Sequence, residues 1–414
     1  MSPRIPFHGW TVVSAAFVVA AFGWGVGFYG PSVYLETVRA ARGWPVGLVS
    51  GAVTAHFLAG VLVVANLPRL HARLGLPVVT AAGAATLALG VVGWALARSP
   101  AELYGAALLS GAGWVALGAA AVNAIIAPWF VRRRPAALSL AYNGASVGGM
   151  VLTPIWVLLI GAVGFPLAAA IVGAVMCATV ALLCATVLRR TPADLGQWPD
   201  GEPPSPSTVF DPGPPEAASL RRDPAFLSLA AGMALALVAQ IGLLAHLVSL
   251  LAPVLGPQGA GWAASLATAA AIAGRTLAGA LITPATDRRH VAVLSLAVQA
   301  AGCVALLAAA GTSVPLILTG VALIGLGIGN ATSLPPLVAQ AEFARTQSPR
   351  VVALIVATAQ AAYAFAPAGF GLLREAAPEA AVYVLALAIQ GAAMAAYLAG
   401  RGRFRARLSP VAAR

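Results

Sequence analysis

The sequence predicts an all-α integral membrane protein with twelve transmembrane helices in two pseudo-symmetric six-helix bundles. Of its 414 residues, 60% are hydrophobic and only 9% are charged, and the mean hydropathy is +0.90, a balance that soluble globular domains do not have. The apolar residues form runs of the roughly 20 residues that a helix needs to cross a bilayer. These runs lack the polar alternation of barrel strands, so helices are the spanning structure that satisfies the backbone in lipid.

Twelve apolar runs are separated by short segments rich in Arg, Pro, Gly and acidic residues, which mark the helix ends. We place the helices at residues 9–34, 45–68, 77–97, 103–128, 136–160, 163–188, 225–252, 261–283, 290–310, 313–339, 351–373 and 380–400. The first run is too long for a signal-peptide core, and no clear small-residue cleavage site follows it. We therefore expect it to be retained as the first helix.

The basic residues concentrate on one side of the predicted membrane. All 24 are arginines, and with the N-terminus inside only Arg39, Arg42, Arg98 and Arg374 fall in outer loops. This asymmetry follows the positive-inside rule and requires an even number of spans. It predicts an inner-membrane protein with both termini cytoplasmic, and it accounts for the net charge of +12 without nucleic-acid binding.

A long polar stretch divides the chain into halves. We expect an N-terminal bundle at 1–188, a cytoplasmic linker rich in Pro, Ser and acidic residues at 189–224, a C-terminal bundle at 225–400 and a basic cytoplasmic tail at 401–414. Weak internal similarity supports a duplication, with Arg73 aligned to Arg288, and Gly111 and Gly113 aligned to Gly325 and Gly327.

Polar residues are distributed unevenly among the helices. The third, sixth, ninth and twelfth helices carry almost none, which suits a peripheral, lipid-facing set. The other helices carry polar residues that need partners or water and so should face an interior cavity: His56, Asn123, Asn143, Gln240, His246, Arg275, Asn330, Thr332, Gln360 and Tyr363. Two bundles around such a cavity would form a rocker architecture.

Several segments resemble one known family over essentially the whole chain. They are HGWTVVSAAF, APWFVRRRPAALSLAYNGASVGG, TPADLGQWPDG, AQIGLLAHLVSLL and GRTLAGAL. The plan resembles the major facilitator superfamily and, within it, the oxalate:formate antiporter and monocarboxylate porter group. The resemblance implies a secondary active transporter that moves a small molecule across the bilayer by alternating access.

Arg275 is the residue most indicative of function. It lies near the middle of the eighth helix, and no acidic residue occurs in the predicted spans to neutralise it. A buried unpaired guanidinium is costly and by default functional, and its planar fork suits a carboxylate. The resemblance likewise implies that Arg275 binds the substrate carboxylate. The alternative is an arginine that bonds helix carbonyls or snorkels to the cytoplasm.

Two departures from the family limit what the resemblance implies. The eleventh helix has no Lys, so we expect a small organic monoanion and not a dianion. Ala271 stands where proton-coupled relatives have an Asp, which argues against proton symport by that route. We expect transport by proton symport or exchange, and uniport stays open. His56 and His246 are the candidates for proton coupling, although a helical His can also serve only as an interhelical hydrogen-bond partner.

The remaining candidates are less specific. Each of them either contacts substrate or only joins helices. They are Gln360, Tyr363, Asn330, Asn143, Asn123, Gln240 and Tyr29. Gln360 and Tyr363 would share a face with Pro367 on one helix. The resemblance implies a gating loop at Arg73 and Gly75, with Arg288 as its counterpart, although Ala72 replaces the family's acidic residue.

Motifs for other functions are missing or out of context. The sequence contains no HExxH and no GxxxxGK, so zinc proteolysis and nucleotide-driven pumping lack their residues. The segment GASVG at 144–148 fits GxSxG, but it lies inside a predicted transmembrane helix and not at the strand-to-helix turn that hydrolase chemistry needs. We expect no catalytic residues, no cofactor and no metal, and a monomer. Two alternatives stay open: an exporter of lipophilic drugs or metabolites in which Arg275 is structural, and a non-transporting receptor on the same fold.

Overall fold

The computed structural model describes residues 7–203, 220–283, 286–344 and 347–400, and within these ranges the chain is helical with no strand. The basic tail at 401–414 and residues 204–219 of the linker lie outside the described residues. In chain order the α-helices are α1 Gly9–Gly27, α2 Gly30–Arg42, α3 Val46–Val64, α4 Leu67–Leu74, α5 Leu76–Leu96, α6 Pro100–Trp114, α7 Ala119–Ile126, α8 Arg134–Val163, α9 Phe165–Leu183, α10 Pro224–Leu281, α11 Arg288–Ala309, α12 Val314–Glu342, α13 Ser348–Tyr363, α14 Ala366–Ala376 and α15 Ala380–Ala399.

Eleven segments of the described chain are long and apolar enough to cross a membrane. One of them, Pro224–Ala280, has 57 residues, or about 86 Å of helix at 1.5 Å per residue, far more than the roughly 30 Å of a bilayer core. It contains a break at Gly256, where φ is 69° and ψ is 165°, a conformation that favours glycine. The predicted helices 225–252 and 261–283 lie on the two sides of this break, and the all-α membrane fold is confirmed.

Three other predicted helices are interrupted. The first bends between α1 and α2, the fourth passes through a 3-10 turn at Val115–Leu117, and the eleventh breaks between α13 and α14. Pro31 and Pro367 explain two of these breaks, because a proline has no N–H to donate to the carbonyl four residues earlier. Since α13 ends at Tyr363, the single continuous helix expected to align Gln360, Tyr363 and Pro367 is interrupted.

The described residues divide into two compact units. One is drawn from Met1–Trp44 and Ala55–Phe210, and the other from Pro45–Thr54 and Asp211–Arg414. The start of α3 therefore belongs to the second unit, where the Gly47 N–H donates to Glu375 at 2.7 Å and the Ala368 N–H donates to Thr54 at 3.1 Å.

Glycines hold corresponding helices close together in each unit. A Cβ on Gly111 of α6 would overlap the backbone carbonyl of His56 on α3, and a Cβ on Gly325 of α12 would overlap the backbone carbonyl of Ala267 on α10. Because both positions need the smallest residue for close helix contact, the repeated glycines in the sequence correspond to repeated packing in the two units.

Candidate functional site

Arg275 lies on the second half of α10, where this helix packs tightly against α12. A Cβ on Gly274 would overlap the Leu326 carbonyl, so the two backbones are in direct contact. The half-buried Arg275 side chain extends across Gly329, and its Nε lies 3.4 Å from the Gly329 carbonyl oxygen. The absence of a side chain at Gly329 thus makes room for the arginine.

Asn330 adjoins Arg275 at the same helix contact. Its Nδ2 lies 3.4 Å from the Gly274 carbonyl oxygen. Oδ1 of Asn330 and Oε1 of Gln299 are buried and have no hydrogen-bond partner among the described residues. Both residues line a cavity of about 10 Å³, which has room for about one water molecule. The structure therefore brings Arg275 and Asn330 together, with a small cavity beside Asn330.

The other candidates in the second unit lie on α13 and on the first half of α10. Gln360 is half-buried near the end of α13, and Tyr363 packs against the apolar core formed by α10, α11, α12 and α13. Gln240 is buried in the first half of α10, and its Oε1 has no partner among the described residues.

The candidates in the first unit have separate environments. Asn123 of α7 donates to the Tyr142 hydroxyl of α8, so it joins two helices. Asn143 is half-buried on α8. Tyr29 lies between α1 and α2, and its ring packs so closely on Gly149 of α8 that a Cβ there would lie 2.5 Å from it.

His246 is fixed by two partners that define its tautomer. Its Nε2 lies 3.0 Å from the Pro367 carbonyl oxygen, and its Nδ1 lies 3.2 Å from Nη1 of Arg374. A guanidinium can only donate, so Nδ1 accepts and Nε2 carries the proton. Arg374 also contacts Ser249 and, through Nη2, Glu379 at 3.2 Å.

His56 is also buried, but its partners differ in kind. Its Nε2 lies 2.8 Å from the Gly27 carbonyl oxygen and its Nδ1 lies 2.8 Å from the Ser110 hydroxyl. Its ring stacks on Trp114, with centroids 5.7 Å apart and planes 25° apart. A hydroxyl can donate or accept, so these contacts leave the protonation state of Nδ1 open.

The gating-loop candidates occupy helix ends. Arg73 is exposed on α4, and Gly75 ends that helix with φ of 82°, a value that favours glycine. Arg288 begins α11 and donates from Nη1 to the Leu337 carbonyl of α12 at 2.6 Å.

The sequence interpretation missed the residue next to Arg288. Arg289 is fully buried and forms a bidentate ion pair with Glu342 at the end of α12, with N–O distances of 2.7 and 2.8 Å. Its other donors bond to Ser228 and to the carbonyls of Ala225 and Tyr397. This guanidinium joins the ends of α10, α11, α12 and α15, so its role in the described structure is to hold the helix bundle together.

A second feature missed from sequence lies in the linker. Asp200 accepts hydrogen bonds from the backbone N–H groups of Val131, Arg132 and Arg133 at 3.2, 2.7 and 3.0 Å. Burial acts to raise the pKa of Asp200, but the three backbone donors and the charge of Arg132 outweigh it and lower the pKa from its usual 3.8. Glu202 adds an ion pair with Arg132 at 2.6 Å. The TPADLGQWPDG segment is therefore docked on the turn before α8.

The helical fold and its eleven apolar segments, each long enough to cross a bilayer, define the described part of the chain as a multi-pass membrane protein. The sequence profile of the Major Facilitator Superfamily matches residues 13–367, so the chain belongs to this family of transporters and is not an enzyme. Monocarboxylate transporter 11 of Mus musculus is 31% identical over 174 residues, which are 40% of this chain and 37% of that protein.

Solved transporter structures share the fold at low identity. A bacterial homologue of the human lysosomal transporter Spinster is 16% identical with a TM-score of 0.66, covering 99% of this chain and 100% of that one. The nucleoside transporter NupG is 12% identical with a TM-score of 0.72, covering 94% and 99%. The peptide transporter POT is 16% identical with a TM-score of 0.70, covering 96% and 95%. Since the cargo of these proteins differs, they support the fold and not a substrate.

Proposed function

We propose that this transporter carries a small organic monoanion, most simply a monocarboxylate, whose carboxylate binds the guanidinium of Arg275. It works by alternating access, driven by proton symport or exchange. The arginine-rich loops support an inner-membrane location with both termini cytoplasmic. The partial similarity to a monocarboxylate transporter agrees with this substrate class.

The observation that carries the proposal is the placement of Arg275. A cation within a membrane-spanning helix is costly in hydrocarbon and marks a substrate or ion pathway. Arg275 is half-buried rather than enclosed, it lies on a glycine surface, and the amide of Asn330 is beside it. A planar guanidinium can bind a carboxylate through two parallel hydrogen bonds, and the neighbouring amide can contact the rest of a small anion.

Arg289 provides an internal contrast. Its guanidinium binds Glu342, three backbone or hydroxyl oxygens and no solvent-facing group, because the side chain is fully buried. Arg275 is only half-buried, and its main-chain contact with the Gly329 carbonyl at 3.4 Å is long for a hydrogen bond. This contrast supports a binding role for Arg275 and a structural role for Arg289.

Binding tests the proposal directly. Purified protein is screened by thermal shift against small mono- and dicarboxylates, amino acids, sugars and cationic drugs, in wild type, Arg275→Ala and Arg275→Lys. We expect stabilisation by monocarboxylates that is lost in Arg275→Ala and weakened in Arg275→Lys, because an ammonium lacks the fork. Arg350→Ala, which removes an exposed arginine of the same unit, should retain the effect.

A second variant tests geometry without removing the charge. A Cβ on Gly329 would lie 3.2 Å from Cβ and Nε of Arg275 and 2.5 Å from the Ala271 carbonyl oxygen, so Gly329→Ala should displace the arginine and weaken monocarboxylate binding. Stabilisation by lipophilic drugs that ignores Arg275→Ala would favour an exporter. Carboxylate binding without any flux in proteoliposomes would favour a receptor.

A further inference from the structure

The geometry points to His56 as the proton-binding residue of this transporter, with Ser110 as the residue that adapts to both protonation states. This inference rests on the proposed transport function and assigns its coupling site. It is carried by four helices of the first unit, α1, α3, α5 and α6, that supply the surroundings of one imidazole.

Nε2 of His56 faces an acceptor that has lost its helical donor. Pro31 stands four residues after Gly27 and has no N–H, so the Gly27 carbonyl is available and lies 2.8 Å from Nε2. A carbonyl only accepts, so Nε2 carries a hydrogen whether the ring is neutral or charged.

Nδ1 of His56 faces a hydroxyl that can reverse its role. The Ser110 Oγ lies 2.8 Å from Nδ1 and 3.0 Å from the Ala107 carbonyl oxygen, and it accepts from Nε1 of Trp94 at 3.1 Å. With a neutral ring the Ser110 hydrogen points to Nδ1. When a proton from solution binds Nδ1, the hydroxyl turns to Ala107 and accepts from the new N–H, so no hydrogen bond is lost.

The surroundings also oppose the cost of a buried positive charge. Gly27 is the last residue of α1, and the negative end of a helix dipole favours a histidinium. The ring stacks on Trp114 at 5.7 Å, which suits a cation–π contact. The adjoining α2 carries Tyr34, whose hydroxyl donates to the Val26 carbonyl at 3.0 Å, and Glu36 and Arg39, which form an ion pair at 3.0 Å. The hydrogen-bond partners of His56 among the described residues are the Gly27 carbonyl and the Ser110 hydroxyl, neither of which is charged.

His246 has the opposite geometry. Its Nδ1 faces Arg374, a permanent cation and obligate donor, at 3.2 Å. A proton there would place two donors and two positive charges against each other. His56 is 1% exposed, so it exchanges protons with solution only when its helices separate, as alternating access requires of a coupling site.

Transport assays can distinguish a loss of proton coupling from a loss of substrate binding. In proteoliposomes, uptake of radiolabelled pyruvate driven by an inward proton gradient is compared with counterflow, which needs no net proton movement. In His56→Gln an amide N–H can serve Gly27 and an amide oxygen can serve Ser110, but no proton can be held. We expect loss of gradient-driven accumulation with counterflow retained. Ser110→Ala should impair accumulation, Ser110→Thr should restore it, and His246→Gln should retain it.

A second readout needs no substrate. Protonation of His56 should quench the fluorescence of Trp114 as the pH falls, and the quenching should be absent in His56→Gln and in Trp114→Phe. Gradient-driven accumulation that persists in folded His56→Gln would overturn the inference. If the wild type transports no pyruvate, the fluorescence titration decides: quenching that depends on His56 supports the proton site although the proposed substrate is wrong, and quenching unchanged by His56→Gln refutes it.

Discussion

Glu342→Gln should destabilise the second unit strongly, because it removes the charge that neutralises Arg289. The Arg289 side chain is 0% exposed and that of Glu342 is 3% exposed. Glutamine has nearly the size of glutamate, so the substitution opens no cavity. The Arg289 guanidinium would then face an amide with one oxygen acceptor in place of a carboxylate with two.

The structure sets the magnitude. Two hydrogen bonds of 2.7 and 2.8 Å join the pair, and bonds to charged groups contribute about 1.5–3 kcal/mol each. Breaking a buried pair from one side costs about 3–5 kcal/mol, since it leaves an uncompensated charge. Because glutamine retains one acceptor, we expect a loss at the lower end, about 3 kcal/mol.

Equilibrium unfolding in mixed micelles measures this loss. Glu202→Gln is the matched control: its pair with Arg132 is as short, at 2.6 Å, but its side chains are 50% and 63% exposed, and exposed pairs contribute about 0–1 kcal/mol. Replacing both partners, with Arg289→Met and Glu342→Leu, should recover part of the stability. If Glu342→Gln unfolds with the same free energy as Glu202→Gln, the reasoning about this pair is wrong.

Two further predictions concern the first unit. Gly111→Ala should lower the free energy of unfolding by about 1–3 kcal/mol, because the added Cβ would overlap the His56 carbonyl. Gly161→Ala is the control in the same unfolding assay and should be neutral, since its Cβ would have nothing within 4 Å. Equal stability of the two variants would contradict the close contact at Gly111. Asp200→Asn should speed hydrogen exchange at Val131–Arg133 at neutral pH. The pKa of Asp200 is lowered in the fold, so its contribution is complete above about pH 4 and is lost as the pH falls further; a thermal stability that falls with acid equally in Asp200→Asn and wild type would count against this contribution.

Composition and charge pattern were sufficient to predict the membrane fold, because each depends on local runs of residues. Helix interruptions could be predicted less well. Pro31, Pro253, Pro257 and Pro367 are visible in the sequence, but prolines also occur inside unbroken helices, as Pro154 does in α8. Whether a proline breaks a helix depends on what its neighbours pack against, and the hydropathy of a segment carries no information about that packing.

The contacts of the candidate residues could not be predicted from the sequence, because their partners lie far away along the chain. The predicted tenth helix ended at residue 339, which left Glu342 in a loop, and its partner Arg289 is 53 positions away. Asp200 contacts a turn 67 to 69 positions earlier, so the PDG segment could be noted as a motif but not as a docked one. The two buried histidines looked equivalent in sequence, and only their partners, Ser110 for one and Arg374 for the other, distinguish them.

The central claim is that Arg275 binds the carboxylate of a transported monoanion. Counterflow of radiolabelled pyruvate into proteoliposomes, measured for wild type, Arg275→Ala and Arg275→Lys with Arg350→Ala as control, tests it most directly. We expect flux in wild type and Arg350→Ala, reduced flux in Arg275→Lys and none in Arg275→Ala. Equal flux in wild type and folded Arg275→Ala would contradict it.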